Sequence, residues 1–79
     1  MPKYYFHVRQ ANGSVSNETF DAEFDNDEAA REEAGQALAE MARDTVPLRG
    51  IAEFEVSVRD QGGHEIARRW ARFVADDYK

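Results

Sequence analysis

From residue 3 to residue 9 the chain alternates, with Tyr4, Phe6 and Val8 on one side and Tyr5, His7 and Arg9 on the other. A period of two in aromatic and β-branched residues predicts a half-buried strand. Asn12-Gly13 follows, and because both residues tolerate positive φ the pair predicts a tight hairpin. A short returning strand is expected at residues 14–17, then a connection over residues 18–24 anchored by Phe20 and Phe24. The period then becomes helical: Ala30, Ala34, Ala37, Leu38 and Met41 mark one stripe, and Arg31, Glu32, Gln36, Glu40 and Arg43 lie off it. Asp25 is expected to cap this helix with Glu28 reaching back, and Phe24 to staple against Ala29. Asp27 and Glu28 suit the positive end of the helix dipole. Pro47 disfavours helical backbone at Val46, so the helix should stop near Asp44. A stripe made mostly of alanine lets the helix axis lie close to a sheet.

After a loop through Gly50, Phe54, Val56 and Val58 alternate with Glu53, Glu55, Ser57 and Arg59, which predicts a second half-buried strand. Asp60-Gln61-Gly62-Gly63 is a turn at which the chain reverses. Residues 65–73 read two ways. As a helix they place Ile66, Trp70, Phe73 and Val74 on one side and Arg68, Arg69 and Arg72 on the other. As a strand they complete a hairpin through a three-residue loop, pairing Val58 with Ile66, Glu55 with Arg69 and Phe54 with Trp70, all chemically sensible cross-strand neighbours. The turn favours the strand and the periodicity the helix. The expected class is therefore α+β: ββαββ, an antiparallel sheet with one amphipathic helix on one face, or ββαβα if the last segment is helical.

Three stretches bear a family resemblance: the opening Met-Pro-Lys-Tyr-Tyr-Phe-His-Val, the helical run Asp27-Glu28-Ala29-Ala30-Arg31-Glu32-Glu33-Ala34, and Val58-Arg59-Asp60-Gln61-Gly62-Gly63. Together they resemble a short bacterial domain family of unknown function, frequent in rhizobia and related alphaproteobacteria. The resemblance spans nearly the whole chain and implies the ββαββ layout and a bacterial cytoplasm. It implies no catalytic residues. The chain departs from the family's usual Asp-Gly turn at Gly62-Gly63, and from its usual Pro-Phe ending at Arg69-Trp70-Ala71-Arg72-Phe73.

Seventy-nine residues make one domain. A chain this short buries only roughly 60–65% of its unfolded surface, which leaves a narrow stability margin. It has no cysteine to add a disulfide or a thiolate metal site. Self-association, in the simplest case a homodimer, is the remaining reinforcement. No apolar run approaches the ~20 residues of a membrane span, and the N-terminus lacks the apolar core of a signal peptide, so a cytoplasmic address and no membrane partner are expected. The net charge of −6 is segregated: ten acids fall between residues 17 and 44, against Arg31 and Arg43 alone. Such a balance disfavours polyanionic partners, both nucleic acid and anionic membrane.

The chemistry-bearing residues are few. His7 could act as a base or ligand, since histidine as a residue type suits both roles, but the only other histidine is His64, in a turn. Ser14, Ser16 and Ser57 lack a nucleophile-elbow context, and Gly62-Gly63 leads into His-Glu rather than into a phosphate loop. The acids at residues 21–28 have no glycine bend to converge on calcium, and capping explains them. No enzyme, cofactor or metal is expected. The candidate interaction surface is instead the sheet face away from the helix: Tyr5, His7, Arg9, Arg59, Arg69 and Trp70. A protein partner or a second copy buried there, or along an edge strand, is the leading expectation. Single-stranded nucleic-acid binding by the same aromatic-basic face is the alternative, and an acidic inhibitor imitating nucleic acid a third.

Overall fold

The computed structural model describes residues 2–11, 15–45, 50–75 and 78. Its elements run β1 (Lys3–Ala11), β2 (Val15–Glu23), α1 (Asp27–Thr45), β3 (Gly50–Arg59) and β4 (Glu65–Ala75). The four strands form one antiparallel sheet in the order β2-β1-β3-β4, so the expected ββαββ layout holds and the helical reading of the last segment does not. The expected Asn12-Gly13 turn and the Val46-Pro47 helix stop lie outside the described residues.

Alternation sets which residues face the helix. Tyr4 and Phe6 from β1 and Val56 and Val58 from β3 join Ala30 and Ala34 of α1 in the main cluster, each at most 2% exposed. A second cluster joins Ala42, Ala52 and Phe54, with Leu38, Met41 and Phe73 against it. Phe54 and Phe73 meet edge to face at 5.8 Å. The alanine stripe works as expected, because methyl groups at residues 30 and 34 let the helix backbone press on the sheet. The helix lies over β3 and β4, so β2 is exposed along nearly its whole length.

The helix cap is one residue later than expected. The Asn26 carboxamide, not Asp25, accepts the Ala29 amide at 2.9 Å, which makes Asn26 the N-cap and puts Glu28 at the wrong position for a capping box. The structure sets Phe24 against the rings of Tyr4 and Phe6. With the helix starting at Asp27, that carboxylate accepts the Tyr4 hydroxyl at 2.7 Å and lies 4.0 Å from Arg31.

β2 is longer than expected, because residues 18–23 pair with β1 rather than forming a connection. Phe20 sits opposite Phe6 with the rings stacked at 4.8 Å. Hydrophobic patterning gave only the start of this strand because the helix leaves it mostly uncovered, and Phe20 and Ala22 are the only apolar residues on its helix side.

The third correction is the register of β4. The loop is as expected: the Asp60 amide donates to the His64 carbonyl, Gly63 closes the turn with φ +84°, and Arg59 pairs with Glu65. A bulge then follows at Ile66, so Val58 pairs with Ala67, Glu55 with Trp70 and Phe54 with Ala71. A one-residue slip exchanges the faces of every later residue. Without it, Arg68 and Arg72 would lie under the helix, in line with Val56 and Ala52. With it, Ala67, Ala71 and Phe73 take the covered side, and Ile66 also reaches the core. The Arg31 guanidinium donates to the carbonyl of the bulged Ile66 at 3.2 Å and ties the irregularity to the helix.

Candidate interaction face

The register assembles the uncovered face row by row. Asp21, Tyr5, Arg59 and Glu65 form one row across the sheet. Thr19, His7, Ser57 and Arg68 form the next, and Asn17, Arg9, Glu55 and Trp70 the third. Five of the six expected surface residues, Tyr5, His7, Arg9, Arg59 and Trp70, therefore share one face. Arg69 does not. It stands opposite Val56 on the helix side, its guanidinium donating to the Arg68 carbonyl at 3.1 Å. Arg68 and Arg72 take its place on the open side. The bulge that exchanged them leaves no sequence signal beyond the preference for alanine, over arginine, beneath a helix.

Two aromatic rings dominate this surface: Tyr5 is 46% and Trp70 68% exposed. Around Tyr5 the sheet forms a shallow, open hollow of about 580 Å³, lined by Tyr5, His7, Thr19, Asp21, Ser57 and Arg59. Ser57 is buried, and its small side chain sets the depth of the floor. Thr19 and Asp21 were not expected on this face because residues 18–24 read as a connection and not as the second half of β2. His7 stands between Thr19 and Ser57 in register, yet among the described residues no hydrogen bond joins it to either.

Charges on the face are matched. Lys3 lies 3.8 Å from Asp21, Arg68 3.9 Å from Glu55 and 3.4 Å from Glu65, and Arg72 3.6 Å from Glu53. All are exposed pairs, each worth roughly 0–1 kcal/mol, so they align side chains more than they hold the fold. By register the face carries the cations Lys3, Arg9, Arg59, Arg68 and Arg72 against an equal number of acids at positions 21, 23, 53, 55 and 65. Its surplus chemistry is therefore aromatic and hydrogen-bonding, not cationic.

His64 takes no part in this face. It belongs to the hairpin loop, where the Asp60 carboxylate accepts the backbone amides of Gly62 and His64, each at 2.9 Å. The His64 amide, foremost, holds the Asp60 carboxyl below its ordinary value. Among the described residues no group of three His, Cys, Asp or Glu side chains is arranged to hold a metal ion. No described helix is long and apolar enough to cross a membrane.

A helix laid on one side of a four-stranded antiparallel sheet, with an aromatic hollow on the other, defines a small two-layer α+β domain. Residues 3–75 match the model of a domain family of unknown function, DUF6894, and the chain belongs to that family. Neither a curated protein nor a solved structure matches the chain.

Proposed function

We propose that this domain is a non-enzymatic protein-interaction module whose uncovered sheet face is buried against another protein or a second copy of itself. The observation that supports this reading most directly is the exposure of Tyr5 and Trp70 on one continuous face that the helix does not reach. Burying two large rings yields roughly 25 cal/mol for each Å² of apolar area removed from water. Tyrosine and tryptophan are also the residues that most often anchor protein interfaces, since each offers area with few rotatable bonds. The hollow beside Tyr5 is open and shallow, a shape suited to a protruding side chain of a partner more than to an enclosed substrate.

The nucleic-acid alternative gains nothing from the charge balance of the face, because a polyanion needs a surplus of cations. In the acid-mimic alternative Asp27, although half exposed, is already engaged by Tyr4 and Arg31.

Affinity capture from the native cell with the wild-type chain and with a Y5S/W70S variant as baits tests the proposal. Proteins retained by the wild type and lost with the variant support it, provided circular dichroism shows both baits equally folded. An identical set from both baits overturns it. Titration with single-stranded oligonucleotides over a salt series, read by the fluorescence of Trp70, the single tryptophan, separates the alternative: tight binding that weakens steeply with salt would replace the protein-partner reading.

A further inference from the structure

The two edges of the sheet are complementary to each other. β2 carries Glu18, Asp21 and Glu23 and no base, while β4 carries Arg68, Arg69 and Arg72 against the single acid Glu65. Each edge also exposes two large apolar side chains: Val15 and Phe20 on β2, Trp70 and Val74 on β4. The only protection β2 has as an edge is its three acids, which repel a like edge but not a basic one. It has no proline, no bulge and no lysine, and its nine residues pair with β1 in unbroken register.

Topology supplies the geometry. With four strands of alternating direction, the two edge strands run opposite to each other. A second copy displaced sideways, without being turned over, therefore lays its β2 antiparallel to the first copy's β4 and keeps its helix on the same side. The self-matching alternatives set acids against acids at β2, or arginines against arginines at β4. Charge selects the mixed pair.

We infer that copies of this chain associate head to tail, β2 of one extending the sheet at β4 of the next, with Asp21 opposite Arg68. This register keeps open face with open face. It sets Val15 opposite Val74, Thr19 opposite Trp70, and Phe20 opposite Arg69, whose guanidinium can lie on the ring that α1 leaves bare. Within one copy Lys3 holds Asp21 at 3.8 Å, and Glu55 and Glu65 hold Arg68 at 3.9 and 3.4 Å; these are partly solvated surface pairs that exchange at little cost. Such a contact is heterologous, so it does not close at two copies and grows into rings or fibres.

Sedimentation of the full chain across a wide concentration range at low salt tests the inference. The expected result is an average mass that rises past two copies with concentration and falls when salt is added. D21K and R68E should each weaken association by about tenfold, the scale of one close charge pair at an interface. An equimolar mixture of the two variants, and the D21K/R68E double variant, should restore it. Recovery in the mixture also shows that each variant is folded. A mass of one copy at every concentration, a mass that stops at two, or growth indifferent to both single variants overturns the inference. Failure of the face reading is seen separately, in partner capture.

Discussion

Tyr4 shows how one hydroxyl ties the helix to the sheet. Its ring is buried, and its hydroxyl donates to Asp27 in the first turn of α1. That hydrogen bond, with burial second, raises the phenol from the ordinary 10.0 to about 12. A phenol whose folded pKa lies above its unfolded value stabilises the fold in its protonated form. The contribution is complete below pH 10.0 and is lost as pH rises through about 12. Tyr4→Phe should therefore lower the melting temperature by about 4–8 °C at neutral pH, the scale of one hydrogen bond in a domain this small. The gap from wild type should close as pH climbs through that window. A gap that stays constant into strong alkali would show that the hydrogen bond is not the cause. The stacked pair Phe6 and Phe20 makes a second test. Phe6 is 1% and Phe20 42% exposed, so Phe6→Ala should cost about 3–5 kcal/mol in urea denaturation, close to the stability of the whole domain. Phe20→Ala should cost about 1 kcal/mol, mainly the lost ring pairing.

Among the elements, the β3–β4 hairpin is the one whose loop chemistry can be tested most directly. Gly63 adopts φ +84° with open space where a Cβ would stand, so Gly63→Ala meets only conformational strain. About 1–2 kcal/mol of destabilisation is expected. Gly62→Ala, whose new Cβ would meet the exposed His64 ring at 3.0 Å, should cost less. Urea midpoints for the two variants decide the order. This hairpin also marks how far the sequence can be read. Alternation gives β3, and the turn chemistry of residues 60–63 gives the loop length and the Arg59–Glu65 pair, whereas residues 65–73 have a helical period and only the turn argues for their strand. The bulge follows from neither, because Ile66 looks the same in sequence whether it pairs or is skipped. Only the packing of α1 against β4 prefers Ala67 and Ala71 beneath the helix, and that preference carried Arg69 out of the expected face and Trp70 into register with Glu55. β2 was half legible for a related reason: with no helix over it, only Phe20 and Ala22 alternate against polar neighbours. The cap fell one residue late because Asp25 and Asn26 are both good caps, and the entry path of Phe24 chooses between them.

The whole molecule is an elongated slab of 54 × 19 × 17 Å with a radius of gyration of 14.2 Å, against about 12 Å for a compact chain of this length. Its core is thin and its single tryptophan stands outside it, so unfolding a dilute sample should barely move Trp70 emission while far-ultraviolet circular dichroism collapses. A strongly blue-shifted native emission at high dilution would mean that the face is already covered within one chain. The seam between β1 and β3 has its own consequence for how the slab is made. Each hairpin joins near neighbours, and α1 rests on β3 and β4, but the central seam pairs Tyr5 with Arg59 across most of the chain. Closing so long a loop is entropically slow. The two hairpins should therefore form first and the seam close in the rate-limiting step, so Phe73→Ala within a hairpin and Val56→Ala at the seam should both slow refolding in stopped-flow denaturant jumps. Until that seam closes, each molecule shows two further unsatisfied strand margins, at β1 and at β3, able to zip with those of a neighbour. Refolding yield must then fall as protein concentration rises, with entangled pairs that exchange their N-terminal hairpins as the by-product.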